Sequence, residues 1–185
     1  MTQTDLSKYN NEWFNEGAGY LKRTIWFFVN ALFFINPYNP FSGLKVKLLR
    51  LFGARVGQGV VIKPGVNIKF PWKLTVGNHV WIGERVWIDN LDSVTIGDHC
   101  CLSQEALILI GNHNYKSETF DLMVEPVVLE DGVWLGARST VVGGVRCESH
   151  AVLALQSVAS TNLKPFSIYR GNPAIKVKER VIASR

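Results

Sequence analysis

Four histidines are the side chains of this sequence best suited to moving a proton near neutral pH, and one of them stands apart. His79, His99 and His150 recur at the same position of a six-residue repeat, which predicts that they lie on the surface at its corners. His113 lies outside that repeat, in the segment GNHNY. The repeat therefore separates His113 from the other three histidines.

Three cysteines offer a second kind of reactive group, but their arrangement predicts no special role. Cys100, Cys101 and Cys147 are an odd number without the spacing of a metal site, and no cleavable signal peptide opens the chain. We expect Cys100 and Cys101 to be core and corner residues, no metal to be bound, and the protein to lie in the reducing cytoplasm.

The composition is that of one globular domain. Of 185 residues, 47% are apolar and 19% are charged, which excludes the low-hydrophobicity profile of a disordered chain. The net charge of +5 favours anionic partners, such as phosphorylated cofactors, nucleotide-sugar or lipid-phosphate substrates, or an anionic membrane surface. Because the chain has no basic run and no recognisable nucleic-acid-binding motif, we expect no nucleic acid partner.

A six-residue repeat organises the chain from Val56 onward. Each hexad begins with a mostly aliphatic residue, often continues with glycine, and usually has a small or β-branched residue in its fifth position. Exceptions are Trp72, Asp92 and Asn112, where the repeat is interrupted. The first positions are Val56, Ile62, Ile68, Val76, Ile82, Ile88, Ile96, Leu102, Ile108, Leu129, Leu135, Val141, Cys147, Leu153 and Ala159. A helix would need a period of about 3.6 residues and a sandwich strand a period of about two, so this pattern predicts a parallel β-helix.

The repeat is interrupted three times. The breaks lie between Ile68 and Val76, between Ile88 and Ile96, and between Ile108 and Leu129. The first two breaks add two residues each, which small bulges at a corner can absorb. The third break contains residues 111–127, which lack the pattern and are predicted to form a projecting loop that carries His113.

The N-terminal segment is unusually apolar. Residues 25 to 35 read IWFFVNALFFI, which is too short for a membrane span of about 20 apolar residues. They predict a helix that packs over the end of the main body or lies at a membrane interface, and both can hold at once. Residues 43 to 52 predict a short amphipathic helix that ends at Gly53. Peripheral contact of residues 22–52 with the inner face of a membrane is the corresponding partner hypothesis.

The predicted fold is all-β, a parallel β-helix of about five coils with three hexads per coil, short N-terminal helices and one projecting loop. Its parts are a leader at residues 1–54, the β-helix at 55–163 with the loop at 111–127, and a tail at 164–185. Trp81, Trp87 and Trp134 occupy the sixth position of their hexads and should point outward. Exposed aromatic rows are typical of interfaces, which predicts a homotrimer with active sites between neighbouring copies.

Several segments together resemble a known family. The hexads, the loop histidine, GVWLGA at residues 132–137 and GNPA at residues 171–174 are similar to the hexapeptide-repeat acyltransferases, whose β-helix is left-handed. The apolar leader, VWIDNLDSVTIGD at residues 86–98 and the GNHNY loop resemble the sugar O-acetyltransferases of bacterial exopolysaccharide synthesis. These are the colanic-acid type, related to galactoside and maltose acetyltransferases.

The resemblance implies an activity. Such an enzyme moves an acetyl group from acetyl-CoA to a hydroxyl of a sugar, a lipid-linked sugar or another exopolysaccharide precursor, directly and with His113 as general base. The oxyanion would be bound by the backbone N–H groups of Gly136 or Ala137, since alanine has no hydroxyl to offer. Asp89 and Asn90 would contact the acceptor. Glu105 is a candidate to orient the imidazole, although a polar corner or a solvated carboxylate is the competing interpretation of these three residues.

The resemblance also implies where coenzyme A binds. In relatives the pantetheine arm lies in the groove between two subunits, beside the C-terminal coils. The cofactor-binding candidates are Trp134, Gly136, Ala154 and Ser160 along the arm, and Lys164, Arg170, Lys176 and Lys178 for the phosphates.

Three alternatives stay open at this point. A zinc hydratase of the γ-carbonic-anhydrase kind would need a second loop histidine about five residues after His113, where the sequence has Glu118. A non-catalytic β-helix scaffold would keep the hexads and the trimer but would need neither the loop histidine nor a cationic tail. An acetyltransferase could also act on an amino sugar, serine or a small xenobiotic.

Overall fold

The computed structural model describes residues 2–183, most of which wind as a parallel β-helix with three flat faces, here called faces A, B and C. Face A consists of Arg55–Val56, Leu74–Val76, Val94–Ile96, Val127–Leu129 and Arg146–Cys147. Face B consists of Val61–Ile62, Trp81–Ile82, Cys101–Leu102, Trp134–Leu135, Val152–Leu153, Ser167–Gly171 and Ala174–Glu179. Face C consists of Asn67–Ile68, Trp87–Asp89, Leu107–Leu109, Thr140–Val142 and Val158–Ala159.

The remaining elements lie outside these faces. Helix α1 is Tyr20–Val29 and continues as a π-helix, Asn30–Ile35; helix α2 is Ser42–Leu51. Leu6–Lys8 and Pro71–Lys73 are short 3-10 helices. Asn112–His113 and Leu122–Met123 form a small antiparallel hairpin. No helix within residues 2–183 has both the length and the apolar character that a membrane crossing requires.

The core is a stack of first-position side chains. From Ile62 to Ala159 each of them is buried, and the small or β-branched residues in the fifth position, such as Val66, Cys100 and Ser139, are buried as well. Neighbouring coils pair in register, so that Ile82 lies between Ile62 and Leu102 on face B. The predicted parallel β-helix is therefore confirmed.

The number of coils differs from the prediction. The structure has about six turns instead of about five, because residues after 163 continue the winding. Leu163 forms a parallel bridge with Cys147, and Ser167–Gly171 pairs in parallel with Val152–Leu153. Ala174–Glu179 then folds back as an antiparallel strand. The segment predicted as a tail thus forms a hairpin that extends face B.

The corners are made by residues in the left-handed backbone conformation. The fourth position of the hexad has positive φ at His79, Arg85, His99, Glu105, Arg138, His150 and Gln156, and at Gly59, Gly65, Gly132 and Gly144. This conformation costs a residue with a side chain about 1–2 kcal/mol. Stacking between coils offsets part of that cost, as between the parallel rings of His79 and His99, 5.3 Å apart.

All three interruptions of the repeat lie at one edge, where the chain passes from face C to face A. We call it the C–A edge, and name the A–B and B–C edges in the same way. The first two interruptions stack directly. Phe70 N–H donates to the Asn90 side-chain oxygen over 3.0 Å, and the Asn90 amide donates to Phe70 O over 2.6 Å. The third interruption, residues 111–127, follows one coil later.

The leader packs on the first coils through one side of its helices. Trp26 is buried and its indole N–H donates to Ile68 O over 2.9 Å, while Phe34 and Leu49 are fully buried. Lys45, in helix α2, is also buried. Its ammonium donates to Asn39 O at 2.9 Å, and burial lowers the pKa of this group.

The corner conformation generates a stability prediction. Gln156 is exposed with φ +56°. We expect Gln156→Val to lower the free energy of unfolding by about 1–2 kcal/mol relative to Gln156→Gly, because a β-branched residue tolerates positive φ worst and glycine tolerates it best. Urea unfolding of the two variants measures this difference, and equal stabilities would show that the corner is not strained.

Candidate active site

His113 lies at the base of the hairpin that projects from the C–A edge. Its strand pairs antiparallel with Leu122–Met123, and its imidazole is half-buried. The ring stacks on the Phe120 ring with centroids 4.4 Å apart and planes 8° apart. Its Nδ1 lies 3.0 Å from Phe120 O. A carbonyl oxygen can only accept, so in the neutral imidazole this contact favours the tautomer with the proton on Nδ1 and the lone pair on Nε2, the form that a general base requires.

The backbone of Phe120 is strained to make this contact. Its φ is +51°, in the left-handed region that a bulky aromatic residue rarely adopts. The loop is braced around it, since Thr119 Oγ1 donates to Asp121 Oδ1 over 2.6 Å and Ser117 Oγ donates to Asp121 Oδ2 over 3.0 Å. These two hydrogen bonds, that from Thr119 first, lower the pKa of Asp121. The charged carboxylate therefore holds the loop in the shape that orients His113.

The N-terminal segment also contacts the loop that carries His113. Asp5 N–H donates to Glu118 O over 2.9 Å, and Lys8 forms an ion pair with the Glu118 carboxylate. The Tyr9 ring lies 5.8 Å from the His113 ring. Nothing in the sequence pattern indicated these contacts, because they join residues about 110 positions apart whose types are ordinary for a surface.

A cavity of about 400 Å³ opens beside Asp89, between α1 and the β-helix. Asp89 is 6% exposed, its carboxylate lies 2.9 Å from Lys69 Nζ, and a Cβ placed on Gly111 would lie 3.5 Å from Asp89 Oδ2. Asp89 is therefore directly under the root of the His113 loop. The cavity combines aromatic faces with polar groups: Trp26, Phe27, Phe70, Trp72, Trp87, Arg23, Asn30, Asn67 and Lys69.

Two of the predicted site residues, Asn90 and Glu105, have structural partners instead. Asn90 is fully buried, and both ends of its amide bond to the Phe70 backbone, so it joins two coils and is not accessible to an acceptor. Glu105 lies at the B–C edge and forms ion pairs with Arg85 and Arg138. The hydrogen bond from Arg138, followed by that from Arg85, lowers the pKa of Glu105. The partner that orients His113 is the Phe120 carbonyl instead.

The predicted oxyanion residues lie at the B–C edge. Gly136 N–H already donates to Leu153 O over 2.8 Å, and a Cβ on Gly136 would meet Leu155 N at 2.6 Å, so this glycine serves the close stacking of two coils. Ala137 N–H donates to no acceptor within residues 2–183. Of the two amides, the Ala137 amide is therefore the one that could bind an oxyanion.

The cofactor candidates are spread over the surface of the single chain. Trp134 is 46% exposed on face B and donates to Ser103 Oγ over 2.9 Å. Ala154 lies near Ala137 at the B–C edge, with its N–H donating to Tyr169 O. Ser160 follows face C and is exposed at the C–A edge. These residues therefore lie at different edges of one chain.

The cationic candidates differ in whether an acidic side chain pairs with them. Lys164 forms an ion pair with Glu148 at 3.1 Å, and Lys176 forms one with Glu179 at 2.5 Å. Arg170 and Lys178 are exposed and have no acidic partner within the described residues.

The environments of the three cysteines favour the thiol over the reactive thiolate. Burial raises the pKa of Cys100 to about 11 and that of Cys147 to about 12, and it also raises the pKa of Cys101. The thiolate form is thus disfavoured at neutral pH. No group of three or more His, Cys, Asp or Glu side chains between residues 2 and 183 is arranged to hold a metal ion.

One known protein is similar in sequence over nearly the whole chain, and others are similar over part of it. The colanic acid biosynthesis acetyltransferase WcaF of Escherichia coli strain K12 is 34% identical over 177 residues, which cover 96% of this chain and 97% of WcaF. The galactoside O-acetyltransferase of the same strain is 20% identical over 71% of this chain and 66% of its own length. No family model matches the sequence.

Solved structures share the fold. A hexapeptide-repeat-containing acetyltransferase from Vibrio cholerae, in complex with acetyl coenzyme A, superposes with a TM-score of 0.78 and 22% identity over 88% of both chains. A maltose O-acetyltransferase from Clostridium difficile superposes with a TM-score of 0.76 and 18% identity over 98% of this chain and all of the other. The fold is thus the left-handed parallel β-helix of these enzymes, as expected.

Fold and full-length sequence similarity together define the chain as a hexapeptide-repeat acetyltransferase. It belongs to the family of the colanic acid biosynthesis acetyltransferase WcaF.

The ion pair between Lys8 and Glu118 can be tested by charge reversal. Glu118→Lys would place like charges together, so we expect hydrogen exchange of the amides at residues 114–121 to become about two- to fivefold faster, as for loss of an exposed ion pair. Reversing both charges, with Lys8→Glu added, should restore the slow exchange. If the double variant exchanges as fast as the single one, the ion pair does not hold the loop.

Proposed function

We propose that the protein transfers the acetyl group of acetyl-CoA to a hydroxyl of a sugar, with His113 as the general base. The observation that supports this most is the Nδ1 contact of His113 with Phe120 O, which favours the tautomer of the neutral imidazole that has its lone pair on Nε2. Nε2 takes the hydroxyl proton as the oxygen attacks the thioester carbonyl. The tetrahedral intermediate then collapses, the C–S bond breaks, and the imidazolium returns the proton to the leaving thiolate.

The oxyanion of that intermediate needs a donor, and we assign it to the Ala137 N–H. His113 lies at the C–A edge and Ala137 at the B–C edge, so one chain does not unite them. A site assembled between two copies, one supplying His113 and the other supplying Ala137, would do so.

A homotrimer is supported by the outward side chains of the faces. Face A presents mostly polar side chains, namely Arg55, Thr75, Thr95 and Arg146, with one valine, Val128. Face B presents an apolar row of Val61, Trp81, Cys101, Trp134 and Ile168. Trp87 and Leu107 add to this on face C. Apolar rows with half-exposed tryptophans are typical of surfaces that neighbouring copies cover.

The donor is supported by relatives and by charge. The similar enzyme from Vibrio cholerae has been solved with acetyl coenzyme A, and a galactoside acetyltransferase has been solved with coenzyme A. Arg170 and Lys178 on the C-terminal hairpin are exposed cations of the kind that bind the coenzyme's phosphates. Because the three thiols are free and buried or half-buried, we place the reaction in the reducing cytoplasm.

The acceptor is assigned to the cavity beside Asp89. Tryptophan faces with a carboxylate and amides suit the apolar faces and hydroxyl edges of a sugar, and Asp89 lies under the loop that carries the base. The name of WcaF places that relative in exopolysaccharide synthesis, which makes an exopolysaccharide precursor the acceptor to test first.

The base assignment predicts a specific loss. His113→Ala should lower the rate of acetyl transfer by about a hundredfold or more, because the hydroxyl loses its proton acceptor. Release of free thiol from acetyl-CoA in the presence of sugar acceptors measures the rate, and calorimetry should show that coenzyme A still binds. Near-normal turnover would refute the base, and no thiol release by the wild type with any acceptor would favour a scaffold.

The cavity assignment predicts a change in KM. Asp89→Asn keeps the shape but removes the charge, so we expect KM for the acceptor to rise about tenfold with coenzyme A binding unchanged. Asp92→Asn, at the same edge but outside the cavity lining, is the matched control and should behave as wild type. An unchanged KM in Asp89→Asn would place the acceptor elsewhere.

A further inference from the structure

The helix formed by residues 20–35 is apolar on two sides, and the β-helix covers one of them. Trp26 and Phe34 point inward and are buried. Leu21, Ile25, Phe28 and Leu32 are exposed by 71%, 46%, 57% and 61%. Their spacing of four and three residues puts them in one line along the outer side of the helix. Large apolar side chains in such a row usually mark a surface with a partner.

The row does not stand alone in the leader. Tyr38, Phe41 and Leu51, in the turn and helix that follow, are 90%, 67% and 76% exposed. The inner contacts of the leader, through Trp26 and Leu49, therefore account for only part of its apolar surface.

From residue 17 onward, the leader carries charge of one sign. Residues 17 to 83 contain nine Lys and Arg and no Asp or Glu, whereas the rest of the chain contains the other eleven basic residues and all fifteen acidic ones. Lys22, Lys47, Arg50 and Arg55 are exposed. The helices of the leader thus combine an outward apolar row with exposed basic side chains.

We propose that the outer side of the leader docks on the surface of a lipid bilayer that contains anionic lipids. The helix lies in the interface, where its aromatic and aliphatic side chains enter the acyl boundary and the basic side chains meet the headgroups. A second copy of this chain is the competing occupant of the row. It would bring the same positive charge and no carboxylate from residues 17 to 83, whereas the bilayer supplies the opposite charge.

Sedimentation of the full-length protein with vesicles tests the proposal. We expect binding to vesicles of phosphatidylcholine with about a quarter phosphatidylglycerol, little binding to phosphatidylcholine alone, and weaker binding at high salt. The variant with Phe28→Ser and Leu32→Ser should bind about tenfold more weakly or worse. The variant with Lys22→Glu and Lys47→Glu should lose the preference for the anionic vesicles.

The controls separate docking from folding and from catalysis. Val181→Ser changes a residue that is 89% exposed but lies outside the leader, and it should bind as wild type. Thermal unfolding and light scattering verify that each variant keeps its fold and its mass. Phe28, Leu32, Lys22 and Lys47 do not line the cavity, so thiol release with a water-soluble acceptor should be unchanged.

Two results would overturn the proposal. One is wild-type protein that stays in the supernatant with the anionic vesicles, and the other is undiminished binding by the double-serine variant. If the wild type stays unbound and the double-serine variant also loses mass in solution, the row is a contact between copies. Failure of thiol release in the wild type would count against the proposed function and would leave the vesicle result as it stands.

Discussion

The close stacking of successive coils is the constraint on which the rest of this structure depends. Each coil places its first-position side chains inward and bonds its backbone to the coils on either side, so residues inside the repeat are committed to the stack. Gly136 shows how close this stacking is. Its N–H donates to the neighbouring coil, and a Cβ at this position would collide with Leu155. Residues in excess of the six-residue repeat therefore form bulges or loops at an edge between two faces. All three interruptions leave at the C–A edge, and His113, Asp89 and the cavity are found there.

The candidate base is oriented by backbone rather than by a carboxylate. The Phe120 carbonyl accepts from Nδ1 while the Phe120 ring stacks on the imidazole, and both contacts come from one residue held at positive φ. Strain of this kind persists where surrounding structure overdetermines it. Here the hydrogen bonds to Asp121 and the ion pair between Lys8 and Glu118 supply that support.

The leader connects the surface to the site. Helix α1 contributes Arg23 and Phe27 to the wall of the cavity beside Asp89, and the π-helix that follows contributes Ile35. The outer row of the same helices is the proposed docking surface. An acceptor carried at a membrane surface would therefore meet the cavity at the place where the protein lies closest to the lipid.

The fold and the candidate base could be predicted from the sequence because a six-residue period is a local property. Each hexad is visible within the chain, the buried columns follow from it, and His113 stands out because it breaks the pattern. The sixth turn was missed because Ser167–Gly171 lacks the repeat and joins face B through its backbone. The roles of Asn90, Glu105 and Gly136 were decided only by tertiary structure, since each depends on partners 17 to 33 positions away. Which residues meet at an edge depends on the lengths of the bulges between coils, and sequence pattern does not determine how a bulge stacks.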